Sequence, residues 1–69
     1  MSYHVHQVTL GDLQSFEIET RTNFATYSIN GQDKQLNIIP GRWYEVVNKG
    51  EIILKTKEAN KAILKYNNL

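Results

Sequence analysis

The stretch "FATYSINGQDKQLNII", residues 24–39, decides how the chain reads. Asn30-Gly31 stands between two alternating segments, the strongest short-range hairpin signal, because both residues tolerate positive φ. A two-residue loop there sets Ile29 opposite Gln32, Tyr27 opposite Lys34 and Ala25 opposite Leu36. One face then carries Ala25, Tyr27, Ile29, Leu36 and Ile38, the beginning of a core. Pro40-Gly41 ends the second strand, since proline has no N–H to give a ladder.

Toward the C-terminus, "RWYEVVNKGEIILKT" (42–56) repeats the pattern. A three-residue Asn48-Lys49-Gly50 loop suits a type I turn closed by a glycine bulge. That register pairs Val47 with Glu51, Val46 with Ile52 and Tyr44 with Leu54. Tyr44, Val46, Ile52 and Leu54 share one face; Trp43, Glu45, Val47, Glu51, Ile53 and Lys55 share the other. From Lys57 to Tyr66 the period changes: Ala59, Ala62, Ile63 and Tyr66 recur at i, i+3, i+4 and i+7, a helical stripe. Thr56 is placed to cap this helix, Glu58 suits its first turn and Lys65 its last. The competing reading of "AILKY" (62–66) is a sixth strand.

Toward the N-terminus, Tyr3–Leu10 is rich in β-branched and aromatic residues and reaches Gly11-Asp12, a turn pair. Ser15–Arg21 alternates, with Phe16 and Ile18 on one side and Glu17 and Glu19 on the other. These two segments read as a further hairpin through Gly11–Gln14. The whole predicts a mainly β fold: a small antiparallel barrel or sandwich of five to six strands with a short C-terminal helix. Residues 1–69 form a single domain, because so short a chain has no room for a second core.

A domain of this size is only marginally stable and usually leans on disulfides, a metal or association. The chain has no cysteine, which removes disulfides and thiolate metal sites. Its formal net charge of +1 makes neither a strong attraction to nucleic acid nor an acidic mimic of it. Charge is unevenly spread: Asp12, Glu17, Glu19 and Asp33 outweigh Arg21 and Lys34 before Pro40, whereas five lysines outweigh Glu51 and Glu58 after Val47. No apolar run approaches the roughly 20 residues of a membrane span. Nor does the N-terminus read as a signal peptide, so a soluble cytoplasmic protein is expected.

His4 and His6 share one face of a strand, and His6 opposite Glu19 would add a carboxylate, a weak candidate metal set. The plainer reading is an ordinary cross-strand pair on a wet face. There is no nucleophile elbow, phosphate-cradling glycine loop or other catalytic pattern, and no cofactor or small-molecule substrate is implied.

The third hairpin is apolar on both faces, while one small core needs only one of them. Trp43, Val47 and Ile53, with Leu64 on the helix, therefore form a candidate partner surface. These residues predict a non-enzymatic interaction or assembly protein that self-associates or docks on a larger protein, in a multisubunit or viral setting. The alternative is a nucleic-acid-binding barrel that uses Lys49, Lys55, Lys57, Lys61 and Lys65 beside Trp43.

Overall fold

In the computed structural model, which describes residues 2–23 and 26–69, the Asn30-Gly31 hairpin forms with its turn moved along the chain. Strands β2 (Tyr27–Gly31) and β3 (Lys34–Ile39) close around Gln32-Asp33, with Asp33 at φ 58°. Ile29 now pairs with Leu36 and Tyr27 with Ile38. A turn displaced by two residues keeps side-chain parity. Tyr27, Ile29, Leu36 and Ile38 accordingly share the buried face, as expected; Ala25 lies outside the described residues.

Strands β4 (Trp43–Asn48) and β5 (Glu51–Thr56) make the next hairpin. Its loop has two residues rather than three, because Lys49 (φ 50°) and Gly50 (φ 83°) both take the left-handed conformation of a primed turn. Val47 pairs with Ile52 and Val46 with Leu54, so Ile53 is the extra residue of a bulge. The shorter turn changes the face of Ile52, and the bulge restores the expected face from Leu54 onward. Tyr44, Val46 and Leu54 pack toward the core, but Ile52 stands beside Val47 and is 58% exposed.

The N-terminal hairpin does not form. Only β1 (Ser2–His4) is a strand, and it runs parallel to β2 with His4 paired to Asn30. Ser15–Arg21 lies instead within α1, a helix over Leu10–Asn23. Thr9 and Asp12 form a capping box at its start: Asp12 N donates to Thr9 Oγ1 (3.2 Å) and Thr9 N to Asp12 Oδ2 (3.3 Å). The apparent alternation came from Ile18, which is 66% exposed on the helix. Leu13, Phe16 and Thr20, at i, i+3 and i+7, are the residues that turn inward.

The C-terminal segment is helical, as read: α2 (Ala59–Asn67) buries Ala62 and Tyr66 and packs Ala59 and Ile63 on the core. The start is corrected: Glu58 is the N-cap residue, with no side-chain cap bond, and Thr56, expected to cap, lies two residues earlier and accepts from Glu58 N through Oγ1 at 3.0 Å. The fold is thus mainly β, with four antiparallel strands, β2 to β5, inside one sheet of order β1-β2-β3-β4-β5. That sheet is an open layer, which replaces the expected barrel or sandwich. Leu13 of α1 and Ala62 and Tyr66 of α2 join Ile29, Leu36 and Val46 in one core, so both helices cover the same face.

The end of α2 fastens the segment between β1 and α1. Asn67 Oδ1 accepts from Val8 N at 2.7 Å and its Nδ2 donates to Val8 O at 2.9 Å. Lys34 Nζ donates to His6 O at 2.7 Å and Tyr66 O at 2.9 Å, and the Tyr66 hydroxyl donates to Val5 O. Gly31 makes room for this cluster. A Cβ there would stand 2.7 Å from Lys34 Cε and 2.8 Å from the Tyr66 hydroxyl oxygen.

Gly31→Ala is therefore expected to lower stability by about 1–3 kcal/mol, the usual cost of overpacking. Gly11→Ala, whose new Cβ would meet nothing closer than Thr9 Oγ1 at 3.9 Å in α1, should instead add about 0.5–1 kcal/mol. Urea denaturation of the two variants checks the contrast, and a Gly31→Ala protein as stable as the parent would refute the close approach.

Candidate functional site

Because the helices share one face, the opposite face of the sheet is covered by nothing in the described chain. Pleating sends Ser28, Asn30, Gln35, Asn37, Ile39, Trp43, Glu45, Val47, Ile52 and Lys55 to that side. Its two halves differ. Over β2 and β3 it is polar and internally bonded: Ser28 Oγ donates to Asn37 Oδ1 at 2.8 Å, and Gln35 Nε2 to Asn30 Oδ1 at 2.8 Å. Over β4 and β5 it is apolar, with Ile39 beside Trp43 and Val47 beside Ile52.

Trp43 is half-buried and held on three sides. Its indole N–H donates to Glu45 Oε2 at 2.9 Å. Lys55 Nζ lies 4.2 Å from the ring centroid and the Arg42 guanidinium carbon 5.9 Å away, both within cation–π range. The expected juxtaposition of Trp43 with Lys55 follows from the cross-strand pair Glu45↔Lys55.

Of the four expected partner residues, Trp43 and Val47 share the open face, with Glu45 between them along β4. Ile53, 37% exposed, sits beside them in the bulge at the sheet edge. Leu64, 65% exposed, is on the solvent side of α2 in the other layer and does not join them. Ile39 and Ile52 belong to the patch and were not foreseen. Parity along β3 could have found Ile39, one residue beyond the buried Leu36–Ile38 pair; Ile52 was hidden by the length of the β4–β5 turn.

The lysines do not converge. Lys49 is in the β4–β5 turn, Lys55 covers Trp43, and Lys57 precedes the helix rather than joining its stripe. Lys61 is bound to Glu58 at 2.7 Å on exposed α2, an ion pair that raises its pKa, and Lys65 lies in the last turn. His6 is exposed in the loop after β1 and Glu19 belongs to α1, so the cross-strand pair is replaced. The His4 side chain lies outside the described residues. Among the described residues no group of three His, Cys, Asp or Glu comes together.

A second feature was not legible at all. A cleft of about 170 Å³ opens between the C-terminal half of α1 and the β3–β4 turn. It gathers Arg21, Arg42 and Lys57 from three distant parts of the chain, next to Trp43 and Tyr44.

Among the described residues, no helix is long and apolar enough to cross a membrane. Comparison with known proteins returns no matching family model, no similar curated protein and no similar solved structure.

The perturbed buried titrations lie at the other end, in the Lys34–Tyr66 cluster. Lys34 is 5% exposed, and burial pushes its ammonium below the ordinary 10.5. Burial likewise pushes the Tyr66 hydroxyl above 10.0. The signs oppose each other. Where Lys34 has lost its proton in the folded but not the unfolded chain, stability rises with pH, up to 10.5. Tyr66 contributes stability that is complete below 10.0 and is lost as pH climbs through its raised folded value. Urea titrations from about pH 7 to about pH 11 should show Tyr66→Phe abolishing the alkaline loss and Lys34→Met abolishing the rise before it. Profiles unmoved by either substitution would contradict the burial of this pair.

Proposed function

We propose that this chain is a non-enzymatic assembly protein that self-associates through the open face of its sheet. The observation that carries the reading is the one-sided placement of the helices. It leaves Trp43, Val47, Ile39 and Ile52 on a face that neither helix covers, with Lys55 and Arg42 beside the indole. In so small a domain, two apolar pairs left open on one sheet face, Ile39–Trp43 and Val47–Ile52 with the Glu45–Lys55 row between them, support a contact surface, with tryptophan a preferred anchor.

A second copy fits the face for two reasons. Its charged pair, Glu45 beside Lys55, is self-complementary: a two-fold axis sets each against its opposite in the partner. Its polar half is already bonded within the plane, through Ser28–Asn37 and Asn30–Gln35, so covering it strands few donors. Two such sheets pack about 10 Å apart with strands inclined near 30°. A standard interface takes about 800 Å² from each partner. That is under a fifth of the 4484 Å² this chain exposes.

The nucleic-acid reading has less behind it. Lys61 is neutralised by Glu58 and Lys55 is engaged with Trp43, so the stripe presents no continuous cationic track.

Light scattering over a concentration series should give a mass that rises toward the dimer. Val47→Glu should weaken association at least about tenfold, or 1.4 kcal/mol. Trp43 is the only tryptophan, so its emission should shift to shorter wavelength with concentration in the parent and not in the variant. An unchanged far-UV spectrum shows that Val47→Glu is still folded. A parent protein monomeric up to about 1 mM would overturn self-association. Binding of a different protein, lost in Val47→Glu, would reassign the face to that partner and overturn it equally.

A further inference from the structure

We infer that the cleft between α1 and the β3–β4 turn is an oxyanion site that takes one phosphate group. The inference goes beyond the assembly role and does not depend on it.

The charges argue first. Arg21 comes from the last turn of α1, Arg42 from the turn between β3 and β4, and Lys57 from the bend before α2. They are both of the chain's arginines and one of its six lysines. Against them the lining holds one acid, Glu17, leaving a net charge of +2. Among the described residues the one ion pair is Lys61–Glu58, so no described carboxylate lies within 4 Å of the three cations. Folding has collected like charges from residues 21, 42 and 57 and left them only partly compensated, by Glu17. That arrangement raises the energy of the empty site and is relieved by an anion.

The shape argues for a single group rather than a polymer. The cleft is bounded by Thr20, Pro40 and Tyr44. Its volume is about ten times what one ordered water requires, enough for a tetrahedral anion with some of its water. Of the nearby lysines, Lys61 is paired, Lys65 lies in the last turn of α2 and Lys55 is engaged with the Trp43 ring. Guanidinium groups suit phosphate because their planar forks donate two hydrogen bonds at once. Trp43 and Tyr44 flank the site and offer apolar contact to whatever the phosphate is attached to.

The test uses the full chain at a concentration where it is dilute. Inorganic phosphate is titrated while sodium chloride holds ionic strength constant, and Trp43 emission and melting temperature are followed. A saturable change with a rise in melting temperature is expected. Arg21→Gln and Arg42→Gln should each raise the midpoint at least about tenfold, and Lys65→Gln, outside the cleft, should leave it alone. Phenyl phosphate then separates the sources: tighter binding than inorganic phosphate assigns a phosphomonoester, equal binding the free anion. Val47→Glu should bind phosphate like the parent, which keeps this result separate from that of association. A response that never saturates beyond the chloride control overturns the site. So does full binding in the Arg21→Gln/Arg42→Gln double variant. An oligonucleotide without terminal phosphate that binds tighter through the same arginines would overturn the single-group assignment.

Discussion

A buried ammonium without a carboxylate organises this molecule. Lys34 sits at the start of β3, where its side chain points into the core beside Gly31, and its Nζ meets only carbonyl oxygens and the Tyr66 ring, 4.3 Å to the centroid. Removing such a charge from water costs several kcal/mol. Hydrogen bonds from a charged donor return about 1.5–3 kcal/mol each. The carbonyl of Tyr66 has an advantage as acceptor: it lies at the C-terminal end of α2, where the helix dipole favours a cation. His6 O, Tyr66 O and the ring therefore form a cage that exists only when β3, α2 and the segment after β1 are all in place. Neither strand nor helix could supply it alone.

That requirement explains the one-sided architecture. From β2 to β5 the sheet is built from three consecutive local hairpins, whose registers are set by their turns. β1 is different, because a parallel neighbour must be delivered by a crossover, here through α1. Three points of attachment hold the delivered segment: Tyr66 to Val5, Lys34 to His6 and Asn67 to Val8. All three lie on the helical side. With α2 fixed there and α1 packed beside it, every helical residue of the core is spent on one face, and the other stays bare.

How much of this could be read from the chain depends on how local each determinant is. The faces of β2 and β3 were legible because parity survived a displaced turn, and the α2 stripe because Ala62 and Tyr66 fall four apart. The proximity of Trp43 to Lys55 was legible as a cross-strand neighbour. The helix α1 was not, although the capping box Thr9–Asp12 is written in the sequence. Ile18 faces water there, so the apolar residues alternate better than they spiral, and Gly11 imitates a turn. The β4–β5 register failed because the turn has two residues rather than three, which set Ile52 opposite Val47, while the bulge at Ile53 returned Leu54 to the core face. Nothing in spacing could show that residues 21, 42 and 57 would meet, since each belongs to a different element.

Trp43 stands where the open face and the cleft adjoin, and its surroundings keep the indole from standing bare. A bare indole on a flat sheet invites uncontrolled edge and face contacts. Here Lys55 and Arg42 lie over the ring, and Glu45 ties down its N–H, so the most apolar residue of the patch carries a charged cover. The edge beside it is guarded as well, because the bulge at Ile53 interrupts the ladder that another strand would need. What remains accessible is the flat face along Val47 and Ile52. Trp43 belongs both to that face and to the lining of the cleft, so the cations that hold the indole stand at the boundary between them.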